Sequence, residues 1–152
     1  MRIEQVEALM EQVGPVLDPM HLSYHEAEKI WGIQLDPETL LLADLDEPNG
    51  KLFLSTNLGA PPQGDRSKLY EMLLIYNDQW HVTGGGRLSL DAPAGNIIFI
   101  YELSLSNLDL VRRVDSLRSF GEVAQHWKQI IASPLDQAQK IDLPMDAMMI
   151  RI

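Results

Sequence analysis

The stretch His81-Val-Thr-Gly-Gly-Gly-Arg87 sets an imidazole three residues ahead of a triple glycine, and that spacing admits three chemistries. Successive glycine N–H groups can point at a developing alkoxide, as in an esterase oxyanion loop. That reaction needs a nucleophile on a Gly-x-Ser-x-Gly elbow, and none occurs in the 152 residues. A phosphate cradle needs Gly-Lys-Ser/Thr opening a helix, whereas here Arg87 follows and the next segment reads as a strand. What remains is a bend where backbone packs closely, which the absence of Cβ permits.

Other polar residues fare no better as reactive groups. His21 and His25 stand four apart, a metal-binding spacing on a helix, but their segment reads as a loop or strand entry and lacks the His-Glu-x-x-His order. Asp44, Asp46 and Asn49 resemble the start of a calcium loop, yet Pro48 and Asn49 occupy the places of its third ligand and its glycine. His81 and His126 adjoin Trp80 and Trp127 and read as packing at a core edge. Without cysteine there are no thiolates, disulfides or thiolate metal sites. The expectation is a protein without catalysis, cofactor or metal.

The charge points to a different kind of function. The formal net charge is −10, and residues 1–60 hold eleven Asp/Glu against three Lys/Arg, while the remainder holds eleven against nine. Such a surface repels phosphate backbones and attracts basic polypeptide, so nucleic acid is not expected as a partner. No apolar run approaches the ~18 residues of a membrane span. The opening MRIEQVEALMEQVG carries three glutamates, unlike a signal peptide. A soluble, cytoplasmic protein with no membrane association is expected.

The elements follow from periodicity. Ile3, Val6, Met10 and Val13 recur at helical spacing until Gly14 and Pro15, predicting a helix over 2–13. EKIWGIQL alternates, with Trp31, Ile33 and Leu35 on one side, and reads as a first strand; Ser23 and Glu26 compete for it as a capping box. TLLLADLD and GKLFLSTN flank Asn49-Gly50, a hairpin signal. After GAPPQGD, Ser67 or Asp65 can cap a helix through KLYEMLLIYN, which between Leu69 and Tyr76 has Glu71 as its one polar residue. One face of so apolar a helix needs a second cover, and a homodimer supplies it. RLSLD and NIIFIYEL form a second hairpin. Ser106 and Asp109 then offer a cap for a long helix with the stripe Leu110, Val114, Leu117, Gly121, Ala124, Trp127 and Ile131.

The order is α-β-β-β-α-β-β-α, an α+β fold with a twisted antiparallel sheet packed by helices, rather than the alternating units of a parallel sheet. Residues 1–132 read as one domain and 133–152 as a C-terminal tail.

Within this frame LLIYN, GGGRLSLD and AGNIIFIYELSLSNLD resemble the Tir-chaperone (CesT) family, the class I effector chaperones of type III secretion. The pattern falls on Leu73, Leu74, Asn77, Gly85, Gly86, Leu88, Asp91, Gly95, Ile97, Leu105, Leu108 and Asp109, and extends more weakly from residue 2 to 131. The resemblance implies an acidic, cytoplasmic homodimer that binds the N-terminal segment of a secreted effector in extended form, keeps it soluble and secretion-competent, and uses no nucleotide. It implies the effector and a second copy as partners, with the secretion ATPase as a further one. The triple glycine then leads structurally into the fourth strand. The expected dimer contacts are Leu69, Tyr70, Leu73, Leu74, Trp80, Leu88 and Leu90, and the expected partner contacts Leu9, Val13, Trp31, Ile33 and Phe53. A dimeric regulatory or adaptor protein on the same fold, without a secreted client, fits the same features.

Overall fold

The computed structural model describes residues 2–92, 95–106, 109–133 and 143–151. Leu108 of the family-like pattern and the segment 134–142 of the tail lie outside the described residues. The elements are α1 (Arg2–Leu17), β1 (His21–His25), β2 (Ile30–Asp36), β3 (Thr39–Asp46), β4 (Lys51–Asn57), α2 (Ser67–Asp78), α3 (Trp80–Thr83), β5 (Arg87–Asp91), β6 (Asn96–Ser104) and α4 (Leu110–Ala132), then a 3₁₀ turn at Met145–Met148. The six strands form one antiparallel sheet in the order β1-β2-β3-β4-β6-β5, so the expected α+β class holds.

Register divides the sheet into two faces. Trp31 lies opposite Ala43, Ala43 opposite Leu54 and Leu54 opposite Tyr101, and this row is buried. Ile33, Leu41, Leu45, Leu52, Phe99 and Leu103 continue the same core. Val6, Leu9, Met10 and Val13 of α1 and the predicted stripe of α4 cover it. Phe99 stacks on Phe120 with ring centroids 4.8 Å apart, and Trp127 meets Tyr76 edge-on at 5.2 Å. On the other face, Leu40 and Leu42 are exposed.

Four local features differ from the sequence expectation. β1 is an additional strand, which makes the strand after the glycines the fifth. Its Leu22 and Tyr24 alternate toward the helix layer, and it returns through Glu26–Lys29, where Lys29 takes a left-handed φ of 55° and its ammonium pairs with Glu47. α1 runs past Gly14 and Pro15 because Pro15 removes a bond to the carbonyl of Glu11, on the exposed side of the helix; Asp18, at φ 48°, ends it by donating to Gly14 O. In the β3–β4 turn Gly50 alone adopts positive φ, not Asn49, whose amide bonds the Asp46 carboxylate instead. Asp109 itself caps α4, accepting from Arg112 N at 3.3 Å, in place of Ser106.

Candidate interaction surfaces

Two of the three glycines are closely approached by other parts of the chain, Gly84 by backbone and Gly86 by side chains. α3 ends at Gly84 with φ 84°, and a Cβ there would stand 2.4 Å from the carbonyl oxygen of Ile150. One on Gly86 would stand 2.8 Å from the Phe99 ring. The close approach expected of these glycines is met at Gly84 by Leu143–Arg151 and at Gly86 first by Phe99; that segment returns to the domain and places Met148 and Ile150 in the core. His21 and His25 cap the two ends of β1, roughly 13 Å apart at strand rise, too far to share an ion.

The first surface lies between α1 and the sheet edge. Glu7, Met10 and Glu11 of α1 and Leu22, Ser23 and Tyr24 of β1 enclose a groove of about 410 Å³ floored by Trp31. Tyr24 stacks on Trp31 with ring centroids 4.5 Å apart and 27° between planes. The two are directly opposed across the strands, so Tyr24 shields Trp31 (4% exposed) while remaining 37% exposed itself, as does Leu22. β1 is the edge of the sheet, and among the described residues its outer main chain has no neighbouring strand. The partner-contact set inferred from sequence does not converge here. Leu9, Val13 and Ile33 are wholly inside the core with no surface to offer, Trp31 forms the floor of the groove, and Phe53 stands on the opposite face of the sheet, adjacent in β4 to the inward Leu54. Leu22, Tyr24 and Met10 complete the groove. The alternation of Leu22 and Tyr24 was the signal in the sequence that locates them.

The second surface is built by α2, α3 and β5. Asn77 binds β5 as a strand would: its Nδ2 donates to Leu88 O at 2.9 Å and its Oδ1 accepts from Leu88 N at 2.9 Å. This clasp holds α2 against the edge of the sheet and gives Asn77 its role in the Leu-Leu-x-x-Asn pattern. Of the residues expected at a dimer contact, Leu69, Leu73 and Leu88 are buried within the single chain and Tyr70 is half-buried. Leu74, Trp80 and Leu90 are 69%, 65% and 50% exposed. Beside them Asn77, Trp80, Gly85, Arg87, Leu88 and Ile100 line a depression of about 560 Å³.

Among the described residues no cluster of His, Asp and Glu is arranged to hold a metal ion, and no helix is long and apolar enough to cross a membrane.

Comparison with known proteins places this geometry. A Chlamydia pneumoniae protein, CPj0713/CpB0740, is 38% identical over 77 residues, a match that takes in 49% of this chain and 58% of that relative. Among solved structures, a chain of the ExsC–ExsE complex superposes with a TM-score of 0.68 at 16% identity, covering 87% of this chain and 97% of its own. A chain of the HopA1–SchA chaperone–effector complex gives a TM-score of 0.65 at 16% identity, covering 84% and 95%. The profile of the Tir chaperone protein (CesT) family matches residues 31–128, from the floor of the groove through α2, α3 and β5 to the last turn but one of α4, and the chain belongs to that family.

Proposed function

We propose that this protein is a cytoplasmic type III secretion chaperone that binds, as a homodimer, the N-terminal segment of a secreted effector and keeps it soluble and secretion-competent. The observation that carries the reading is the groove at the edge of β1 in a member of this family. An extended client can add main-chain hydrogen bonds along a free sheet edge and place alternate side chains into the adjoining pocket. Leu22, Tyr24 and Trp31 supply apolar surface for those side chains, and Glu7 and Glu11 set negative charge on the rim. The acidic rim speeds encounter with a basic segment and makes the rate fall with salt. Binding needs no bond made or broken, in keeping with the lack of a reactive constellation in the sequence.

The dimer reading is supported by Leu74, Trp80 and Leu90. Burying a large apolar side chain contributes roughly 1.5–3 kcal/mol, and three exposed ones on adjoining elements form a patch that a second copy covers by two-fold symmetry.

The test is copurification of the tagged protein with a secreted polypeptide, followed by mapping of the retained segment. Retention of an effector through its N-terminal segment, lowered by Tyr24→Ala and Trp31→Ala with the fold intact, is the expected result. Retention unaffected by both variants places the client elsewhere, and absence of any secreted client sinks the chaperone reading.

A further inference from the structure

The segment Leu143–Arg151 meets the domain as a bound peptide would. Its main chain makes four hydrogen bonds to groups of the domain. Tyr76 Oη donates to Met148 O at 2.7 Å, and Ile150 N donates to Thr83 O at 2.8 Å. Arg151 N donates to Ser119 Oγ at 2.9 Å, and Ser116 Oγ donates to Arg151 O at 2.6 Å. Side chains alternate as in a strand ligand: Met148 and Ile150 point inward and are buried, while Met149 between them is 38% exposed. Arg151 then pairs with Asp115 at 2.8 Å and Glu122 at 3.6 Å.

The receiving surface is shaped for such a chain. Gly84 and Gly86 leave out the Cβ atoms that would strike Ile150. Ser116 and Ser119 put two buried hydroxyls on the inner face of α4, and the Tyr76 hydroxyl is buried with Met148 O as its acceptor. The two serine hydroxyls also have acceptors within α4, Ser116 Oγ donating to Arg112 O at 3.0 Å and Ser119 Oγ to Ser116 O at 3.1 Å. A buried polar group left without a partner is costly, so it is chiefly the Tyr76 hydroxyl that favours an occupant restoring the acceptor Met148 O supplies. Nothing in that requirement depends on covalent attachment through 134–142.

We propose that the groove between the Ser116–Ser119 face of α4 and the Thr83–Gly86 turn is a peptide-binding site, held in cis by Leu143–Arg151 and open to exchange with an extended segment of another polypeptide carrying two apolar side chains at alternate positions followed by arginine or lysine. The site is separate from the groove at β1, and the proposal stands whether or not that groove binds an effector.

A tethered segment competes at an effective concentration on the order of millimolar, so exchange is measured where the tether's own hold is weakened. In the full chain, Arg151→Glu sets a carboxylate against Asp115 and Glu122 while leaving the groove untouched. A fluorescent peptide of residues 143–152 should bind this variant at least about tenfold more tightly than wild type, and the same peptide with Arg151→Glu should bind neither. Hydrogen exchange supplies the second measurement: saturating peptide should raise exchange at the Ile150 amide of the variant's own segment and leave Thr83–Gly86 protected. Equal binding to both proteins, no binding to a variant whose circular dichroism shows it folded, or no rise in exchange at Ile150 overturns the proposal.

Discussion

Replacing Asn77 by aspartate should turn the α2–β5 clasp into one that closes only in acid. The native amide donates once and accepts once, each at 2.9 Å, to the backbone of Leu88. A carboxylate keeps the acceptor but sets its second oxygen against the carbonyl of Leu88. One hydrogen bond worth about 0.5–1.5 kcal/mol is lost, and a partly buried acceptor left facing a like dipole costs about 1–3 kcal/mol more. The destabilisation at neutral pH is therefore about 1.5–4.5 kcal/mol, and at about 2–4 °C per kcal/mol for a domain of this size the midpoint falls by about 3–18 °C. Protonation restores a donor toward Leu88 O, so the introduced carboxyl has a folded-state pKa above its unfolded value of about 3.9. A raised folded-state pKa means that the compensating stability is fully present below the unfolded value and is lost as pH rises through the folded one. Thermal unfolding by circular dichroism of wild type, Asn77→Asp and Asn77→Ala, between about pH 4 and pH 8, reads this directly. The gap between wild type and Asn77→Asp should narrow toward acid, whereas Asn77→Ala should show no such narrowing. A gap of constant size for the aspartate variant would refute the assigned hydrogen-bond geometry.

Leu74→Asp should yield a folded monomer in sedimentation equilibrium, since Leu74 is 69% exposed in the protomer; Leu73→Asp, at a buried position, should unfold the protein instead. Charge reversal at Glu7 and Glu11 should slow client association several-fold at low salt and leave dissociation nearly unchanged, as stopped-flow rates would report. Hydrogen bonds from Arg151, then Arg118, hold the Asp115 carboxyl below its ordinary range. A lowered folded-state pKa contributes stability above the unfolded value that is lost as pH falls through the folded one, so the contacts of Arg151 with α4 should loosen in strong acid, seen as faster exchange at the Arg151 amide.

α2, α4 and both long hairpins were legible because their signals are strong and local: a helical stripe over many turns, or a turn rich in glycine and asparagine between alternating runs. β1 was not, because its turn is Glu-Ala-Glu-Lys and puts lysine at the left-handed position where glycine or asparagine would have announced it. The apolar surplus of α2 is visible in the sequence, but only the structure divides it, turning Leu69, Leu73 and Tyr76 inward and Leu74 outward. The partner contacts expected on α1, β2 and β4 do not share one surface. Both α1 and α4 cover the same side of the sheet, so Leu9, Val13 and Ile33 are consumed by the core, and Phe53 falls on the other side. The docking of Met148 and Ile150 left no periodic trace, since alternate apolar residues in so short a segment have no context, and the serines that receive them sit unmarked within the stripe of α4.

The order of the strands has a kinetic consequence. β1 to β4 form a meander in which each strand pairs with its neighbour in sequence, and those hairpins close over short loops. β4 then pairs with β6, bringing together residues as distant as Lys51 and Ser104 across a gap that contains α2, α3 and β5. Closing that gap costs chain entropy before its contacts repay it. The meander can thus gather early while the sheet waits on one long-range event, and it is β6, inserted between β4 and β5, whose arrival completes the sheet.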